Sequence, residues 1–418
     1  MPKLGYSGRW ALAGFCSSLA SSATAKPPEP GFWLTGLAPR MKYGAVTCLA
    51  QDGAVAGGYT ADIKAPGFTW TRSSGRDDFG SLAGMPVVSL ASGLSDTGVV
   101  VGYTDDGSFK NMRAYRWTGS GPLQDLGLLP GETRSLAWGV SGDGNVVVGH
   151  AEHGQFTNFT GQAFRWTPTS GMQGIGKLTP GSLLSKALAV SRDGKVIVGE
   201  NRNEAFTADA FVWTQATGMK ALPKLANPAG TATADALSAD GTVIVGRSAS
   251  ASGMIHAVRW VNGQIEDLVS GAYANLNSVA YAVSDDGTVV GGTLNGLGFV
   301  WTPATGFLKT EDYLELHGVE VPSDYQLEEI YAVSGDGLTI GGQARDLATG
   351  VREGFVATVP AGGGCKADCD ASGELDIDDF ICFQTRFAIS DPYADCDASG
   401  ELNIEDFICF QTAYAIGC

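Results

Sequence analysis

Two stretches near the C-terminus carry the residues best suited to chemistry. Asp368-Cys-Asp-Ala-Ser-Gly-Glu-Leu-Asp-Ile-Asp-Asp379 and Asp395-Cys-Asp-Ala-Ser-Gly-Glu-Leu-Asn-Ile-Glu-Asp406 are two copies of one twelve-residue phrase. Each follows the spacing of a calcium loop. Side-chain oxygens fall at positions one, three and five, on Asp368, Asp370 and Ser372 and on Asp395, Asp397 and Ser399. Gly373 and Gly400 stand at position six, where such a loop turns sharply. Glu374 and Glu401 would offer backbone carbonyls at position seven, Asp376 and Asn403 stand at nine, and Asp379 and Asp406 close the set. A hard cation takes six to eight oxygens, and this alternation points them inward while Leu375 and Leu402 face a core. The expectation is two bound Ca2+ ions of modest affinity, because Ser at position five removes a charge. The competing reading is an acidic knot whose carboxylates are only solvated.

Cysteines surround these loops. Cys365, Cys369, Cys382, Cys396, Cys409 and Cys418 form an even, regular set, whereas Cys48 lies alone in an apolar strand. In an exported chain such a set predicts disulfides, and six cysteines allow 15 pairings. A zinc cluster fits less well, since C-x-x-C pairs and a nearby histidine are both missing. From Cys365 to Cys418 the chain carries 12 acidic and two basic residues, a density that needs bound cations or free solvation.

Elsewhere no catalytic motif stands out. His150, His153, His256 and His317 form neither a zinc-protease pattern nor a triad. His150 and His153 are assigned to a solvated loop running over Ala151–Gly161. Paired carboxylates occur only in the calcium loops. A site assembled from separate repeats leaves no contiguous motif, and clustered carboxylates or arginines at an axial opening would favour an enzyme.

The elements that must position all this are repetitive. A phrase close to V-S-x-D-G-x-V-V-V-G recurs with glycines at 53, 98, 144, 194, 241, 287 and 337. Asp-Gly suits a tight hairpin, so these aspartates are read as turn formers rather than acids. Each phrase precedes an aromatic strand such as Ala114-Tyr115-Arg116-Trp117 or Ala163-Phe164-Arg165-Trp166, whose tryptophans are read as inter-sheet packing rather than a sugar platform. Four strands in each unit of about 45 residues fit a propeller blade. The fold class is therefore all-β, a seven-bladed β-propeller with a small α-helical module behind it. Gly36-Leu37-Ala38-Pro39 is an orphan fourth strand, predicted to pair with the last blade and close the ring.

The first 25 residues predict a signal peptide: Lys3 and Arg9, a short apolar stretch, then Ala23-Thr24-Ala25. Removing its two positive charges from −17 leaves −17 − 2 = −19, which argues against nucleic acid as a partner. No stretch is long enough for a transmembrane segment. The predicted order is signal 1–25, propeller 26–360, Gly-rich linker 361–364 and calcium module 365–418.

The aromatic strands, with His256-Ala257-Val258, resemble the HAF family of extracellular repeats over roughly residues 46–360. The doubled loop with closing Asp379 and Asp406 resembles dockerin type I, and the interleaved cysteines with Gly417-Cys418 look like the GC-type variant of planctomycete proteins. That resemblance implies a protein partner. Ile377-Asp378 and Ile404-Glu405 replace the Ser/Thr pair of cohesin-binding dockerins, which sets cohesin itself in doubt. The favoured pairing beside this resemblance is Cys369 with Cys382, Cys396 with Cys409, and Cys365 with Cys418. The functional expectation is a secreted or cell-surface interaction protein with a calcium-dependent anchor and a glycan or protein at the propeller face. The alternative is an anchored propeller enzyme acting on polysaccharide or peptide.

Overall fold

The computed structural model describes residues 29–37, 41–60, 66–85, 88–108, 110–154, 159–205, 207–269, 271–360, 369, 375–389, 391, 394, 396 and 402–416. The expected signal peptide, the Gly-rich linker, Cys365 and Cys418 lie outside these residues.

Each repeat folds as a four-stranded antiparallel unit. The strands entering each unit first are Gly44–Leu49, Val88–Leu94, Arg134–Val140, Leu184–Val190, Ala232–Leu237, Ser278–Val283 and Tyr325–Val333. The third and fourth units are joined where Gly161 meets Leu184, so together they form one eight-stranded sheet. The seventh unit takes its fourth strand from the N-terminus: Gly31–Leu34 pairs with Arg352–Thr358, Phe32 opposite Ala357 and Trp33 opposite Val356. The expected closing segment therefore sits a few residues earlier than Gly36-Leu37. The equivalent strand in the second unit, Gln124–Asp125, likewise precedes its Gly127-Leu128. The loop phrase marks the exit from that strand, not the strand itself.

The turns explain the repeat. All seven phrase glycines have φ between 67° and 78°, a region where a Cβ is strained. Ser141 Oγ donates to Asp143 Oδ1 at 2.6 Å, and Asp143 accepts from the Asn145 amide at 2.9 Å. The same pair recurs at Ser191–Asp193, Ser238–Asp240, Ser284–Asp286 and Ser334–Asp336. These hydrogen bonds hold Asp143 and Asp240 below the usual carboxylate range. The aspartates are turn formers, as expected.

The apolar runs face neighbouring units on both sides. Val147, Val148, Ile197, Val198, Phe164 and Phe211 are fully enclosed. Trp70, Trp166, Trp260 and Trp301 are buried between sheets and Trp117 and Trp213 half-buried, which fits packing. Cys48 is a buried free thiol, pushed up to about 12 by burial. A short helix, Thr310–Leu316, that the repeat pattern does not foretell lies in the sixth-to-seventh connection.

Beyond residue 368, the helices are Ile377–Ala388 and Ile404–Ile416, each beginning just after position nine of its phrase. The cause is capping: Asp376 accepts from Asp378 N, while Asp379 accepts from Asp376 N at 2.9 Å. Phe383 and Phe410 stack at 4.1 Å in a small core. Disulfides Cys369–Cys382 and Cys396–Cys409 form as expected.

Candidate functional site

Among the twelve expected calcium ligands, Asp376, Asp379, Asn403 and Asp406 are described, and the rest lie outside the described residues. Asp379 and Asp406 are wholly buried. Oδ2 of Asp406 accepts from Asn403 N at 2.8 Å and its Oδ1 from Cys396 N at 2.8 Å. Positions nine and twelve of each phrase thus also cap a helix. Among the described residues no three His, Cys, Asp or Glu side chains converge as a metal site. An all-oxygen donor set with a buried closing carboxylate fits a hard divalent cation.

The histidines are not where a loop reading puts them. Val147–His153 is a strand, so His150 is a buried ladder residue and His153 its end. His153 joins Glu132 and Thr160, at 2.8 and 2.9 Å. His256 is locked between Asp267 and the Ala274 carbonyl, and His317 contacts the Tyr313 carbonyl.

A second cluster, which sequence reading missed, is built at the centre. Neighbouring first strands touch in cyclic order, the seventh against the first, so these seven strands are innermost. Each carries a β-bulge at the same place, skipping Thr47, Ser92, Trp138, Leu188, Asp235, Tyr281 or Tyr331 in the pairing. A bulge re-aims its side chain out of the ladder, and all seven residues are half-buried. The next strand adds the residue after its V-G or G-G pair: Tyr59, Tyr103, His150, Glu200, Arg247, Thr293 and Gln343. The repeat keeps its framework and varies these two positions, the signal that could have found them.

Chemistry collects here. Trp138 Nε1 donates to His150 Nδ1 at 3.0 Å, which places the imidazole proton on Nε2, 3.5 Å from Glu152 Oε2. Burial lowers the His150 pKa, so the ring is neutral. Burial works against ionised Glu152, but His150 and Arg134, 3.2 Å away, hold its pKa below the usual range. Glu200 is held by Lys186 at 3.3 Å and Arg202 at 3.0 Å. Trp138, His150, Glu152, Arg134, Lys186 and Arg202 border a cavity of about 370 Å³ between the third and fourth units. Further round, Asp235 faces Arg247 at 3.9 Å, and its Oδ2 has no hydrogen-bond partner among the described residues. Burial, helped by the charge of Glu200 and opposed by Arg247, raises its pKa to about 6. Burial beside Glu328 also raises Glu329. Tyr281 stacks obliquely on Tyr331 at 5.3 Å. Asp235 thus feels the charge of Glu200, and Glu329 that of Glu328, outside the calcium loops.

The opposite end of the centre is drawn together by the third residue of each phrase. Backbone bonds run Asp96→Gly142→Arg192→Ala239→Asp285→Gly335→Gln51, each amide donating to the next carbonyl at 2.8–3.1 Å. Arg192 spans the gap to Asp96 at 2.8 Å and Asp285 at 2.9 Å, and also meets Gln51.

No family model matches the chain, and no curated protein matches it. Among solved structures, a crystal structure of puromycin hydrolase matches with a TM-score of 0.51 at 10% identity, over 75% of this chain and 53% of that one. A putative TolB from Agrobacterium tumefaciens matches over 76% and 91% at 11% identity, with a TM-score of 0.38. TolB from Acinetobacter baumannii matches over 53% and 52% at 14% identity, also with a TM-score of 0.38. The chain spans about half the length of the puromycin hydrolase and the Acinetobacter protein. At such identity the likeness is one of fold: a β-propeller scaffold. Among the described residues no helix is long and apolar enough to cross a membrane.

Proposed function

We propose that this chain is an exported interaction protein: a closed seven-bladed propeller that binds a ligand at its centre, tethered by a calcium-dependent, dockerin-like module. The observation that carries the reading is a doubled apolar face. Ile377 and Ile381 on one C-terminal helix, and Ile404 and Ile408 on the other, are each more than half exposed. Among the described residues only Leu316, Leu347 and Ile389 are other large apolar side chains so exposed, and repetition of the pair marks a partner surface. Calcium would be held by Asp368, Asp370, Ser372, Glu374, Asp376 and Asp379, and by Asp395, Asp397, Ser399, Glu401, Asn403 and Asp406. Bound there, it would neutralise the loop carboxylates and fix the helices that present the isoleucines. The resemblance to HAF repeats and GC-type dockerins supports an extracellular setting, and so do the two disulfides.

At the centre, binding is favoured over turnover because the candidate base is occupied. Both nitrogens of His150 are engaged, and Glu152 and Glu200 already answer cations. The test is capture of surface proteins on immobilised full chain with calcium, with EDTA, and with an Ile381→Glu/Ile408→Glu variant. One partner retained only by the wild type in calcium is the expected result. Capture indifferent to both changes would sink the reading.

One observation favours a second reading, a hydrolase: Asp235 is a nearly enclosed carboxyl whose pKa suits a general acid. Turnover of a polysaccharide or peptide substrate that disappears in Asp235→Asn would establish it.

A further inference from the structure

The cavity between the third and fourth units has a shape and charge that specify a ligand class, on the reading of the propeller as a binding scaffold. Trp138 and His150 lie within 2° of parallel, their centroids 6.2 Å apart. With a hydrogen bond of 3.0 Å joining their edges, the two rings lie side by side rather than one over the other. They form one flat platform on the cavity wall. Tyr103 packs edge-on against Trp138 at 5.8 Å, and Trp138 loses no polar atom to solvent. A ring of sugar size stacks on such a face, and about 370 Å³ accommodates a small ligand.

The charges around the platform are unequal. Arg134, Lys186 and Arg202 line the cavity, and among the described residues the only acid lining it is Glu152. Arg134 is spent on Glu152 at 3.2 Å and lies over the Phe159 ring at 4.3 Å. Lys186 and Arg202 share a single carboxylate, Glu200, which is buried behind them. One positive charge is left over, on side chains 22% and 40% exposed. This local excess sits in a chain of net charge −17, which would repel a long polyanion but leaves a pocket for one anionic group.

We propose that the cavity binds a single saccharide ring bearing a carboxylate, the ring on the Trp138–His150 platform and the carboxylate on Lys186 and Arg202. Glu200 then acts as the counter-charge that holds both cations extended toward the ligand.

Titration calorimetry of the full chain with D-glucuronate, D-glucose and benzoate tests this. Glucuronate should bind at least about tenfold more tightly than either of the others, since a charge-assisted hydrogen bond is worth roughly that factor or more. Lys186→Met and Arg202→Gln should each weaken glucuronate about tenfold and leave glucose unchanged. Trp138→Leu should weaken both sugars; if it does not fold, the two charge variants decide alone. Equal binding of glucose and glucuronate, preference for benzoate, or indifference to both charge variants would overturn the assignment while leaving a binding scaffold. Absence of binding by all three also overturns it, and leaves standing the calcium-dependent anchor, which the capture judges separately.

Discussion

Replacing Asp235 by Asn should make the protein more stable at neutral pH, and the gain should vanish in acid. Only 12% of the Asp235 side chain is exposed, and its one cation, Arg247, stands off at 3.9 Å. Burial lifts its pKa from 3.8 to about 6, so the folded protein holds the proton more tightly than the unfolded chain does. Below pH 4 both states are protonated and the group is neutral in the balance. Between 4 and 6 the unfolded chain ionises first, and folding loses stability as pH rises. Above 6 the full penalty is present, up to about 3 kcal/mol at 1.36 kcal/mol for each unit of displacement. Asn keeps the shape and removes the charge, while Arg247 retains some contact with water. Urea unfolding followed by tryptophan fluorescence at pH 4, 6 and 8 measures this. All nine tryptophans precede the calcium loops, so the signal excludes the C-terminal module. Other carboxyls, such as Glu329, cancel in the difference between variant and wild type. A variant no more stable at pH 8, or a difference that does not change with pH, would refute the reasoning.

Arg192→Met should lower propeller stability by roughly 1 kcal/mol, a small value because the cluster is partly solvated, and less at high salt; chemical denaturation at two ionic strengths checks it. Cys48 should resist a thiol reagent at pH 8 in the folded protein and react at once in urea, because burial keeps it protonated. Deleting residues 29–35 should leave the Arg352–Thr358 edge unpaired and drive self-association, visible as a shift in light scattering. EDTA should reduce helical circular dichroism and lower the melting temperature of the C-terminal transition, and calcium should restore both. An unchanged spectrum, together with no heat on calcium addition, would remove the cation from the proposal.

Much of the fold was open to reading from the chain. Repetition is a local property: Asp-Gly at fixed intervals dictates hairpins, runs such as Val146-Val147-Val148 dictate strands covered on both faces, and equal cysteine spacing anticipated the Cys369–Cys382 and Cys396–Cys409 links. The incomplete last repeat and the extra N-terminal strand likewise implied their pairing, although the register was displaced by the loop phrase. The centre was not open in that way. Trp138, Asp235, Tyr281 and Tyr331 are far apart along the chain and share no motif, and they gather at the centre only because the bulges of the innermost strands turn them out of their ladders. Likewise His150 looked like a loop residue until its ladder partner, Ala163, was known. Short-range patterns determine which strands form, whereas a site made from one residue of each strand exists only once the strands are packed around one another.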